Sequence, residues 1–316
     1  MQEKQYDVLV VGELNLDLIL NGIDKFPEIG KEVLAQKMTL TLGSSSAIFA
    51  SNLATLGSRV RFCGSIGKDD FGEKILSDLA ERNVDCSAII RSDTADTGIT
   101  VALNIGEDRA MITYPGAMNE LREDHITDDM LLSARHLHIS SIFLQPALKT
   151  GLISLLKRAK QFGLTTSLDP QWDPAELWNC ELREMLISIN IFLPNLEEIK
   201  NLTGTSSMYD ALKALENEAD QIVVKNGHAG ATLWLNKEMQ HQEPFLNTSV
   251  VDAIGAGDSF DAGYIHQYVQ GKTSAECLAF AALCGAINTT AMGGTGAFAD
   301  YKAVKTIALS KFNVQL

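Results

Sequence analysis

Apolar residues fall into short unbroken runs along the chain. The first is Tyr6-Asp7-Val8-Leu9-Val10-Val11, closed by Gly12, and others lie at Val60–Ile66, Leu137–Ser141, Leu164–Leu168, Ile189–Leu193 and Gln221–Lys225. Such a run, too short for a helix and lacking alternation, predicts a strand buried on both faces. Between the runs, apolar spacing of three and four at Phe71–Leu79, Ala147–Ala159, Glu197–Leu202 and Ala211–Leu215 predicts helices. Strand and helix in alternation predict a mainly parallel sheet covered on both sides: an α/β fold, a doubly wound three-layer α/β/α sandwich.

Two segments break the rhythm. Leu14–Leu42 and Gly98–Tyr114 read as β structure without a helix, the second as a hairpin turning at Gly106-Glu107-Asp108. Lys31–Leu42 is expected to pair with that hairpin. The division that follows is a large domain of 1–13, 43–97 and 115–316, and a small β lid of 14–42 and 98–114. The lid either covers a site or offers an edge for a homodimer.

Composition narrows the function. Hydrophobic residues make up 46% of 316, enough for a large core. Lys and Arg number 26 against 40 Asp and Glu, a net charge of −14 that opposes nucleic acid and anionic membranes as partners. No apolar run reaches the roughly 18 to 20 residues of a membrane helix, and the start, Met1–Asp7, lacks the look of a secretory signal. Cys63, Cys86, Cys180, Cys277 and Cys284 are odd in number and scattered, which fits reduced thiols in the cytoplasm. His136 and His138 share a strand face and read as ordinary strand histidines rather than a metal pair.

The densest chemical signal is Asp252-Ala253-Ile254-Gly255-Ala256-Gly257-Asp258, which leads into an apolar helix. Free amides at a helix start attract an anion such as phosphate, and glycine lets the backbone approach it. Asp258 is a carboxylate where a phosphate would sit, so it needs a proton to accept or a metal nearby. Phosphoryl transfer supplies both: Asp258 takes the proton of an attacking hydroxyl while the Gly255, Ala256 and Gly257 amides hold the developing charge. The plainer reading is a helix cap. Phe260 excludes a dinucleotide fingerprint starting at Gly255; His266 excludes a P-loop ending at Gly271-Lys272-Thr273, and Asp69 one at Gly67-Lys68.

Asp252–Gly263 resembles the C-terminal signature of the ribokinase-like (PfkB) carbohydrate kinases, and the likeness runs in order through nearly the whole chain. Gly12–Asp17 is similar to the family's first strand, which implies that Asn15 and Asp17 contact sugar hydroxyls. Gly43–Gly57 resembles its glycine-rich segment, placing Gly43, Ser44 and Ser45 at the substrate. Asn195–Glu198 resembles the NxxE motif, implying that both order Mg2+ through water; as residues alone they would also make a capping box. Val223–Gly230 is similar to the strand and turn beside the nucleotide, which puts Lys225, Gly227, Gly230 and, further on, Asn288 on the ATP side. The resemblance implies ATP and Mg2+ as cofactors, with Asp252 in place to help bind K+.

Two departures bear on the acceptor. Ser44 replaces the family's second glycine, and Ile48 replaces an Asn that touches the sugar. In Asp169-Pro170-Gln171-Trp172-Asp173-Pro174, Gln171 and Asp173 stand where relatives acting on fructose or a sugar acid often have Asn and Arg. An acid at 173 is expected to disfavour an anionic acceptor. The expected activity is ATP-dependent phosphorylation of a neutral sugar. The alternatives are a nucleoside kinase, with Ile48 and Trp172 against a base, and a non-catalytic sugar-binding regulator.

Overall fold

The computed structural model describes residues 4–105 and 108–316; Met1–Glu3 and the hairpin tip Gly106-Glu107 lie outside the described residues. The chain runs β1 (Tyr6–Val11), β2 (Asn15–Asn21), β3 (Lys37–Leu42), α1 (Ser45–Thr55), β4 (Val60–Cys63), β5 (Ser65–Ile66), α2 (Asp70–Glu81) and β6 (Ile90–Arg91). Next come β7 (Gly98–Ile105), β8 (Asp108–Tyr114), α3 (Asp128–Ser133), β9 (Ala134–Ser140), α4 (Pro146–Gln161), β10 (Thr165–Asp169), α5 (Leu182–Leu186) and β11 (Ile191–Phe192). The remainder is α6 (Leu196–Thr203), α7 (Met208–Ala214), β12 (Gln221–Lys225), β13 (Ala231–Leu235), β14 (Glu238–Gln242), α8 (Ala256–Val269), α9 (Ser274–Asn288) and α10 (Tyr301–Phe312).

Eight strands form the main sheet, in the order β14-β13-β12-β11-β10-β9-β1-β4. From β12 to β4 every pairing is parallel; β13 and β14 extend one edge antiparallel. The unbroken apolar runs have a simple cause. Leu9 and Val11 pack with α4 residues such as Leu152 and Leu155, whereas Val8 and Val10 pack with Phe49 of α1 and Phe260 of α8. Both faces are therefore buried. His136 and His138 lie on the α1/α8 side, where His138 stacks on Phe49 at 3.7 Å and both rings hydrogen-bond Ser167. Burial holds each near a pKa of about 3, so both are neutral packing residues at pH 7.

The second sheet has four strands, in the order β3-β2-β7-β8. Lys37–Leu42 does not pair with the hairpin: β3 pairs antiparallel with β2, which in turn lies parallel to β7. The physical reason is β2 itself, a seven-residue strand whose two edges are both used. The chain winds outward from β1 to β4 and then returns to β9 on the other side of β1. In such a sheet the crevice beyond the carboxyl ends of the strands is where ligands bind. Among the described residues, no helix is long and apolar enough to cross a membrane.

Candidate active site

The carboxyl ends of β1, β9, β10, β11 and β12 carry Glu13, Ser140, Asp169, Asn195 and Lys225, at the strand ends or within three residues of them. Facing them are the starts of α1 and α8. Gly255 precedes α8 at φ 75°, a left-handed turn natural to glycine, and no side chain caps the helix. The Ser259 amide donates to the Gly255 carbonyl at 2.9 Å. The Gly257 and Asp258 amides come before that bond, where a helix has no acceptor of its own. The Ala256 amide differs: it donates to the Ala253 carbonyl at 3.3 Å.

Asp258 lies in the first turn of α8 and is buried. Burial lifts its pKa to about 7, against the Ser45 hydroxyl, which donates to Oδ1 at 2.6 Å and favours the ionised form. The Gln171 amide donates to the same oxygen at 3.0 Å. Behind this pair, Lys225 Nζ sits 2.8 Å from Asp169 Oδ2 and 2.8 Å from Asp261 Oδ2. Burial alone would raise Asp169, but Lys225 and the hydrogen bond with Asp261 together hold the group below the usual range. Burial raises Asp261 well above that range, and the two acids on either side keep Lys225 charged against its own burial. Glu198 is pushed up to about 8, by burial and then by Asp169.

Asn195 and Glu198 form the capping box of α6. Asn195 Oδ1 accepts from the Glu198 amide at 2.9 Å, and Glu198 Oε2 accepts from the Asn195 amide at 2.8 Å. Asn195 Nδ2 also donates to Glu198 Oε1 at 2.6 Å. Asn15 Nδ2 donates to Thr100 Oγ1 at 2.8 Å, tying β2 to β7, and lies 3.3 Å from Asp17 Oδ1. Gly43 is required by Asp17, whose Oδ1 would overlap a Cβ there. Gly227 and Gly230 lie in the β12–β13 connection at φ 52° and 83°, and a Cβ at Gly230 would overlap the Gln242 carbonyl.

Residues 5–299 match the sequence profile of the pfkB family carbohydrate kinases. The chain belongs to that family. A ribokinase of Arabidopsis thaliana is 27% identical over 319 residues, covering 97% of this chain and 82% of the relative. An uncharacterized sugar kinase of Archaeoglobus fulgidus is 29% identical over 228 residues, covering 71% of this chain and 89% of the relative. The solved structure of Arabidopsis thaliana ribokinase complexed with ribose and ATP superposes with a TM-score of 0.82 at 26% identity, covering 95% of this chain and 97% of that one.

Within this pfkB kinase the departures noted in the sequence acquire physical form. Ser44 keeps a glycine-like φ of 68° and caps α1, accepting from the Ala47 amide at 3.1 Å and donating to the Glu13 carbonyl at 2.6 Å. Ser46 turns inward to Glu13 and to Ser140. Of the three serines only Ser45 reaches Asp258. Ile48 offers no apolar wall to a ligand: it is 2% exposed and fills the space where Gly294 lacks a side chain. Asp173 is also turned away from that task. It accepts from the Ala175, Leu177 and Trp178 amides of its own loop, at 2.9, 3.0 and 2.7 Å, so its charge is spent on folding the loop.

Asn288 is fully buried; its Nδ2 donates to the Ile254 carbonyl at 2.6 Å, which braces the turn before α8. Asp252 braces the same turn, its two oxygens accepting from the Ile254 amide at 3.0 Å and the Gly293 amide at 2.9 Å. Sequence reasoning passed over Asp169, Asp261 and Glu13 as site residues. The i, i+3 spacing of Asp258 and Asp261, and a Lys ending an otherwise apolar strand at 225, were the available signals.

Proposed function

We propose that this chain transfers the γ-phosphoryl group of ATP to a hydroxyl of a small neutral sugar. The observation that carries the reading is Asp258, a buried carboxylate with a pKa of about 7 beside the amides of Gly257 and Asp258 at an uncapped helix start. A base poised near the working pH takes the hydroxyl proton as the bond to phosphorus forms. The nearby amides and the helix dipole stabilise the charge on the transferred group. Asn15 and Asp17, with Gly43 and Ser45, hold the acceptor, and the four-stranded sheet closes as a lid that keeps water from competing. Lys225, Gly227 and Gly230 form the nucleotide side, while Asn288 acts by bracing the Ile254–Gly257 turn.

The residues fit magnesium. Asp169, Glu198, Glu13 and Asp261 stand around Asp258 with one cation, Lys225, among them, and a site this rich in acidic oxygens suits a hard divalent ion. Asn195 and Glu198 are our candidates to hold it, through water. Magnesium bound with the nucleotide supplies charge neutralisation on the phosphates. Asp252 is our candidate donor to K+, using the lone pairs its backbone bonds leave.

The same acid excess, rather than Asp173, supports a neutral acceptor, because an anionic sugar would add to it. An ADP-release screen with ribose, deoxyribose, fructose, two sugar acids, adenosine and inosine tests this. We expect magnesium-dependent release with one or more neutral sugars. Release with a sugar acid alone overturns the neutral assignment, release with nucleosides alone selects the nucleoside kinase, and no release across the panel favours a sugar-binding regulator.

A further inference from the structure

The turn after β10 carries a side chain that the mechanism above leaves unused. Gln171 holds φ at 58°, a left-handed conformation that a residue with a Cβ adopts only at a cost. The strain delivers one amide nitrogen to three acceptors: Asp169 Oδ2 at 2.7 Å, Ser45 Oγ at 2.8 Å and Asp258 Oδ1 at 3.0 Å. A primary amide has two protons, so these acceptors share them. The Gln171 backbone amide also donates to Asp169 Oδ1 at 3.3 Å. Two carboxylates from different elements thus meet across one neutral donor.

We propose that Gln171 is a positioning residue for the base, fixing the Asp258 carboxylate and separating it from Asp169. The proposal rests on the reading of Asp258 as base. The charged groups facing Asp258 are Asp169 on β10, Lys225 on β12, Glu13 after β1 and Glu198 on α6, with Asp261 on its own helix. All but Lys225 are acids, and Lys225 is already paired with Asp169 and Asp261. A donor that carries no charge of its own lets both Asp169 and Asp258 be ionised without a further ion in the acceptor site. An Asn at this position is one methylene shorter, so from the same backbone it cannot span both acids as Gln171 does.

The test is the pH dependence of kcat/KM, with whichever acceptor the screen identifies, for wild type, Gln171→Met, Gln171→Glu and Gln171→Asn. Methionine keeps the length and loses the donor; glutamate keeps the shape and adds an acid. We expect the acid limb to move up by about one pH unit in Gln171→Met, the equivalent of one hydrogen bond to a charged group. It should move further in Gln171→Glu and less in Gln171→Asn, with KM for ATP within about two-fold of wild type. Rates that fall equally at every pH, with the limb unmoved, reduce Gln171 to loop structure and overturn the proposal. If instead wild type has no acid limb, or Asp258→Asn turns over at the wild-type rate, the base itself is wrong and both readings go together. Should Gln171→Glu fail to fold, Gln171→Met and Gln171→Asn carry the same comparison.

Discussion

Single positions in this protein show how a residue type can change while the backbone demand stays fixed. Ser44 occupies a left-handed site that glycine fills at no cost, and recovers part of that cost by capping α1. Ser44→Ala keeps the strained φ and loses the cap, so it should destabilise the fold by about 1–2 kcal/mol. Ser44→Gly loses the cap and relieves the backbone, leaving stability within about 0.5 kcal/mol of wild type. Urea denaturation of the two variants checks the ordering. Ile48 teaches the converse lesson. Its place in the sequence suggested a ligand wall, but the partner that buries it, Gly294, lies far along the chain, and no local pattern names such a contact.

At the level of elements, the site is a set of strand ends and helix starts. The strands were legible because burial on both faces leaves an unbroken apolar run, and Val8 to Val11 show why. Their order in the sheet was not legible, since pairing β1 with both β4 and β9 depends on contacts distant in sequence. The same holds for the ion cluster. Lys225 ends β12, Asp169 ends β10 and Asp261 lies on α8, so the pairings exist only once the sheet has formed. Lys225→Met would strand two buried acids without a cation and should cost about 3–5 kcal/mol. Pairing it with Asp169→Asn should recover part of the loss, as denaturation of the single and double variants would show.

Over the whole molecule, sequence reading singled out the turn before α8 because glycines and an acid beside a helix start are chemically odd wherever they occur. It found both segments of the small sheet for a similar reason: their rhythm differs from the strand–helix alternation around them. It misjudged Asp173, because a charge seen in sequence carries no direction, and only the folded loop shows the carboxylate turned onto three backbone amides of its own loop. Side chains from the strand ends of the large sheet and from the starts of α1 and α6 stand around the one carboxylate at the start of α8, so the proposed mechanism stands on Asp258. Its most direct test is the pH profile of kcat/KM for wild type beside Asp258→Asn, each with ATP, Mg2+ and the acceptor found in the screen. The account predicts a wild-type rate that falls about ten-fold per pH unit below about 7. It also predicts a variant slower by about 10² to 10⁴ that lacks this limb. A variant that matches wild type in rate and keeps the same limb would contradict it.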